Sequence, residues 1–275
     1  FALPAVDPTR GVVVGSTWRR IMAEAYRAFG SYLRFKEIVS DPLGSLYRAG
    51  AFSSGGVVRT VWLRVFDRTE IPADDIIGDF GRTQKISGAV KSSSVASGVE
   101  GVVADGVPGI ACDYAPSQPL SVIFDRAAAE RFPIPVDNAL LILEKVSLAL
   151  SATLTVEIDG SRVVHGFVHP CLIFVTNDGE GIVTGFGLGD HLLARVDDEA
   201  NAATIHPYLA PEVLAGRVPS RRGDVYSLGA LLFQLLTGEA LPVLPEARAD
   251  AIAGAHLAFD EEAVPNDIRS LLQRA

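Results

Sequence analysis

The sequence predicts an α+β protein of two lobes, a small antiparallel β lobe followed by a larger helical lobe. Three observations carry the prediction. Runs rich in β-branched and aromatic residues, broken by turn residues, fill most of the chain up to Tyr114. After "APSQP" the apolar residues recur at helical spacing instead. The chain has 275 residues, 48% of them hydrophobic, enough to bury a sizeable core in one large domain or two lobes. The expected divisions are 1–29 for an N-terminal extension with a short helix, 30–114 for the β lobe and 115–275 for the helical lobe.

The extension opens on prolines and glycines and runs into "STWRRIMAEAYRAF". Ser16 suits an N-cap there, and Trp18, Ile21, Met22 and Tyr26 share a helical face, so a helix docked on the body is expected. "YLRFKEIV", "GSLYRAGAF" and "VVRTVWLRVFD" read as strands of one sheet. "PADDIIGDFGRTQKISGAV" reads as a helix with Asp74 and Asp75 at its positive end, weakened by internal glycines. "KSSSVASG" reads as a polar turn, and "VEGVVADGVPGIACDYA" as a hairpin about Asp105-Gly106.

In the second half, "LSVIFDRAAAERF" and "PVDNALLILEKVSLALSATL" have the periodicity of helices. "HGFVHPCLIFVTNDGEGIVTGFGLG" reads as loop, strand, turn and strand, with Asp178-Gly179 in the turn. "SRRGDVYSLGALLFQLLTG" is a strongly apolar helix closed by Gly238. "VPNDIRSLLQRA" starts a last helix with Asn266 or Asp267 as its cap.

The net charge of −9 argues against a general affinity for nucleic acid or anionic membrane. Two cysteines, Cys112 and Cys171, far apart in a chain of this size, point to a reducing compartment without a disulfide framework. No transmembrane span and no signal peptide is evident. The chain starts at Phe1 and ends at Ala275 within a helical pattern, so it is expected to be part of a larger polypeptide. The expected setting is cytoplasmic, as a free chain or as the cytoplasmic part of a membrane-anchored protein.

One segment, "YLAPEVLAGRVPSRRGDVYSLGALLFQLLTGEALP" from Tyr208 to Pro242, is long and specific. It resembles the protein kinase superfamily, most closely the bacterial Ser/Thr kinase type. Its A-P-E closes an activation segment, and "DVYSLG" opens the buried helix that follows. "YRA" after Gly44, "VWLRVFD", "ACDYA", "HGFVHP" and "TGFGLG" fall in kinase order, so the resemblance covers roughly Gly30 to Ala275. It implies a two-lobed kinase-like fold.

Kinase catalysis rests on positioned phosphates, two magnesium ions and a base. At the glycine-rich loop this chain reads "VSDPLG", keeping only Gly44; Asp41 would turn negative charge towards phosphates, and Pro42 has no N–H. At V-A-I-K stands Val61-Trp62-Leu63-Arg64, so arginine replaces the phosphate-binding lysine. Its helix glutamate falls at Thr83, flanked by Arg82 and Gln84, which leaves no acid for Arg64 to pair with. At H-R-D stands His165-Gly166-Phe167, so Phe167 takes the place of the base aspartate, and His169 takes the following lysine position. The two magnesium ligands fall at Leu172 and at Gly185 of Gly185-Phe186-Gly187. Neither has a side-chain oxygen for a hard cation.

By the same resemblance, Trp62 and Phe174 take the two positions that line the adenine slot. Each ring buries about 150–250 Å², several kcal/mol at about 25 cal/mol per Å². They are expected to fill the slot themselves. His165 is expected against Phe186, Glu212 in the A-P-E motif, and Asp224 on the backbone of the catalytic loop. These four serve the fold. In kinases an arginine of a last helix pairs with the A-P-E glutamate; the chain stops before that helix, so Glu212 is expected to lack that partner.

The bland readings compete at several positions. Arg64 reads either as a retained phosphate ligand or as a surface or cleft arginine with no ligand. His165, His169 and Cys171 have soft-ligand spacing, but their kinase positions explain them better than a metal does. Cys112 takes the gatekeeper position and reads as a core thiol. From Gly185 to Glu212 there are 28 residues, and Thr204 is the only Ser or Thr. With Gly166 where the phosphate-receiving arginine belongs, control through a phosphorylated Thr204 is not expected.

The expected function is that of a catalytically inactive pseudokinase. It would act as a protein-binding scaffold or regulator with no cofactor, no Mg-ATP and no nucleic acid. The alternative is a metal-independent nucleotide switch, or an enzyme of altered chemistry, built on Arg64 and His169.

Overall fold

The computed structural model describes residues 27–53, 56–67, 73–193, 199–245 and 247–251. Most of the helix expected from Ser16 and all of the one expected near Asn266 lie outside the described residues.

The first half forms a six-stranded antiparallel sheet in the order β1-β2-β3-β4-β6-β5. Its strands are β1 (Ala28–Phe29), β2 (Tyr32–Asp41), β3 (Gly44–Ser53), β4 (Gly56–Val65), β5 (Glu100–Ala104) and β6 (Val107–Asp113). Alternation along a strand decides which side chains meet. In β4, Val61, Leu63 and Val65 pack on Phe29, Tyr32, Ala49 and Ala111. Trp62, between them, packs on Leu46 and Phe174. Phe66, just past the strand, meets Ile76 and Phe80 of α1 (Ala73–Ala89).

The second half is mainly helical: α2 (Leu120–Glu130), α3 (Val136–Ala152) and, later, α7 (Arg221–Thr237). In α3 the buried residues Ala139, Ile142, Val146 and Ala149 recur at three and four, one face of a helix. That face enters the same core as Ala230, Leu231 and Leu235 of α7. The Ser220 hydroxyl caps α7 by accepting from Gly223 N at 3.3 Å, and Gly238 ends it in the left-handed conformation. β7 (Ser117–Pro119) precedes α2, and β8 (Glu157–Ile158), β9 (Ser161–Arg162), β10 (Ile173–Thr176) and β11 (Gly181–Val183) lie between α3 and α7. Three short helices follow, α4 (Gly189–Leu193), α5 (Glu199–Ile205) and α6 (Pro211–Leu214). Among the described residues no helix is long and apolar enough to cross a membrane.

The α+β two-lobed architecture matches the expectation, but several local readings need correction. Ala28 and Phe29 are strand, paired with Leu33 and Tyr32, where the sequence continued a helix. The supposed polar turn at Lys91–Gly98 is partly core. Val183 N donates to Ser94 O at 2.8 Å and Ala96 N to Val183 O at 3.0 Å, tying that segment to β11. Hydrogen bonding to a strand from the other half of the chain overrode its polar composition. The hinge "APSQP" includes β7, which pairs with β10 despite its proline, as an edge strand can.

Candidate functional site

The lobes meet in a cleft whose floor is the loop His165–Leu172 and the β10–β11 hairpin. Asp224, in the first turn of α7, holds the loop from below. Its carboxylate accepts from His165 N at 3.1 Å and Gly166 N at 2.8 Å. Burial pushes the Asp224 carboxyl pKa up, while those two N–H groups and His165 oppose the shift. His165 is buried, and burial lowers its pKa. Its Nδ1 accepts from Phe167 N at 3.3 Å, which leaves Nε2–H to donate to Thr184 O at 2.9 Å. Its ring stands edge-on to Phe186 with centroids 4.6 Å apart.

His169 repeats the pattern one turn on. Nδ1 accepts from Cys171 N at 3.2 Å, and Nε2–H donates to Thr204 O at 3.1 Å. Burial lowers its pKa to about 4, so it is neutral at physiological pH. Both rings therefore spend both nitrogens on backbone. Among the described residues no group of three His, Cys, Asp or Glu side chains is placed to hold a metal ion.

Phe167, Leu172 and Gly185 come together on the floor without a single side-chain oxygen. Phe167 and Leu172 lie in one apolar cluster with Leu188, Leu192 and Ile205. Gly185 has φ +88°, and a Cβ there would stand 2.9 Å from Leu172 Cδ1. Leu172 thus fills the space that a side chain at 185 would need. None of these three side chains is a proton acceptor or a hard ligand.

Towards the hinge, Trp62 is 5% and Phe174 3% exposed. Their centroids lie 5.3 Å apart with planes tilted by 36°. Tyr114 adds a third ring 4.9 Å from Trp62. Leu46 lies in the same buried cluster, with Cys112 packed against it, and burial pushes the Cys112 thiol pKa up to about 12. What remains is a cavity of about 30 Å³ lined by Trp62, Arg64, Cys112, Leu172, Phe174 and Thr184 among others. That is room for about one water, against roughly 300 Å³ or more for ligand pockets.

Deeper in, Arg64 is buried, not an open cleft arginine. Its Nη1 donates to both carboxylate oxygens of Asp41, at 2.8 and 2.9 Å, and its Nη2 to Cys171 O at 2.9 Å. Sequence reasoning found no acid for Arg64 because it sought one on α1. There, Thr83 is buried, and its hydroxyl donates to Asp79 O of its own helix at 2.9 Å. The acid comes from the β2–β3 turn, where Asp41 turns inward instead of facing outside anions. The opposite charges at 41 and 64 were the available signal. Leu43 was also missed; it is fully buried between the lobes. Glu212 is half-buried in the first turn of α6.

This fold, a curled β lobe over a helical lobe with a loop, hairpin and buried helix beneath the cleft, is the protein kinase fold. The kinase domain of PknI from Mycobacterium tuberculosis, as a double mutant, matches over 96% of this chain and 97% of its own, with a TM-score of 0.59 and 20% identity. The pseudokinase domain of BIR2, an immune regulator of the RLK/Pelle family, matches over 86% of this chain and 72% of its own, with a TM-score of 0.54 and 18% identity. In sequence the chain is a relative of the protein kinase superfamily, bacterial Ser/Thr kinases included. It is 28% identical to Ser/Thr-protein kinase PrkC of Bacillus subtilis over 152 residues, which are 52% of this chain and 22% of PrkC. The chain thus spans only a small part of that relative's length. No family model matches it.

Proposed function

We propose that the chain is a pseudokinase domain. It keeps the kinase shape, does not transfer phosphate or bind Mg-ATP, and works as a protein-binding scaffold or regulator. The observation that carries this reading is the cleft filled by Trp62, Phe174 and Tyr114, with about 30 Å³ left over. The oxygen-free trio Phe167, Leu172 and Gly185 supports it from the side of the chemistry. BIR2 offers a parallel, a pseudokinase domain of an immune regulator. Both hydrogen-bonding ends of Arg64 and His169 are taken within the chain, which weighs against the nucleotide switch built on them. With two free thiols and kinase relatives larger than this chain, we place it in the cytoplasm as part of a longer polypeptide.

The test is a melting scan with ATP, ADP and GTP, each with and without Mg²⁺ or Mn²⁺, beside a label-transfer assay on a generic protein substrate. A ligand at 100 times its Kd stabilises by about 2.7 kcal/mol, a plainly visible shift. The reading expects no shift and no transfer. A saturable shift with any nucleotide would sink it. A pull-down with the intact protein then identifies the partner.

A further inference from the structure

We propose that the β2–β3 turn, residues 41–44, is a strap whose Asp41 carboxylate is the built-in anion of Arg64 and holds the two lobes closed. A guanidinium buried to 4% exposure needs a compensating anion, and among the described residues Asp41 is the acid bonded to it. The same guanidinium reaches down to Cys171 O, a carbonyl of the other lobe. One side chain of β4 is therefore bonded at once to the turn above and to the loop below.

The turn is shaped for this contact. Asp41 Oδ1 also accepts from Leu43 N at 2.9 Å, so the carboxylate that pairs with Arg64 also folds the turn. That fold drives Leu43 into a cluster with Phe66 above and Phe167, Leu172 and Leu188 below. Gly44 lets the turn lie against β4: at φ +111°, a Cβ there would stand 2.1 Å from Val65 O. An outside anion can reach Arg64 only by displacing Asp41. Displacing Asp41 withdraws Leu43 from the lower lobe, so freeing the cation and opening the cleft are one event.

The proposal deepens the ligand-free reading and rests on it. It predicts chemical rescue. Asp41→Ala leaves a carboxylate-sized gap beside a buried cation. The melting temperature of the chain should fall, on the order of 10 °C. Sodium formate should restore much of the loss, and sodium chloride at equal ionic strength should not. Formate should not rescue Arg64→Met. Hydrogen exchange at 41–44 and at 169–172 should rise together in Asp41→Ala and fall together with formate. Equal effects of formate and chloride, or faster exchange in the turn alone, would overturn the strap. Should Asp41→Ala not fold, Asp41→Asn keeps the shape and removes the charge; the same joint rise in exchange is expected, and unchanged exchange overturns the proposal. No nucleotide enters this experiment. A failed rescue therefore removes the strap alone, while a nucleotide-induced shift in the wild type removes the ligand-free reading alone.

Discussion

Asp224 below the cleft and Trp62 inside it are both buried, yet they hold the molecule together by opposite means. Asp224 satisfies backbone: two N–H groups of the loop at 165 and 166 end on its carboxylate. His165 and His169 work the same way, each between an N–H and a carbonyl. Inside the cleft, side chains mostly pack on or pair with one another, and the buried Trp62 Nε1 has no hydrogen-bond partner among the described residues. Trp62 lies on Phe174, Leu172 fills the space beside Gly185, and Arg64 takes Asp41. The difference shows which residues of this fold can change. A side chain that holds backbone has a fixed partner, because every sequence has the same N–H there. A side chain that meets another side chain can be exchanged if that neighbour changes with it.

The comparison breaks hardest at Trp62. Trp62→Ala removes the largest ring of the filled slot and should cost about 4 kcal/mol, read by urea denaturation. Asp224→Ala should cost about 3 kcal/mol by the same measurement, since two buried N–H groups lose their acceptor. The contrast between them is rescue. An apolar ligand such as indole should restore stability to Trp62→Ala and leave Asp224→Ala unchanged.

Gly185→Asp comes next, at about 3 kcal/mol, because it combines left-handed backbone with a clash at Leu172. Adding Leu172→Asn should recover part of that loss, so the double variant is less damaged than the two singles summed. Simple additivity would show that the two positions do not compensate each other.

The smallest effect is on pH. His169 titrates near 6.5 when unfolded and about 4 when folded, so the unfolded chain takes up the proton first as pH falls. Its contribution is complete above about pH 6.5 and is lost on the way down to pH 4. His165 is shifted in the same direction. From pH 7 to pH 5 the wild type should lose about 2 kcal/mol through His169, and His169→Gln should flatten that slope.

Most of the fold was legible because it rests on local pattern. The strand alternation around Trp62, the Asp105-Gly106 hairpin and the helix from Arg221 to Thr237 each carry their own periodicity or turn chemistry. What escaped depends on distant partners. Val95 is buried because Val183 comes to it, and β7 is a strand because β10 lies beside it. At the site, motif spacing picked out Phe167, Leu172 and Gly185, which the structure brings together. The Asp41–Arg64 pair could not be named this way, because 23 residues separate the partners and the motif places the acid on a helix. Leu43 reads as an ordinary turn residue until the other lobe closes over it.

Titration calorimetry of the wild type with adenosine, beside Trp62→Ala, tests most directly that this cleft is full of its own side chains. A cleft filled by Trp62 predicts no saturable heat from the wild type and weak binding by the variant. A saturable isotherm for the wild type would contradict it.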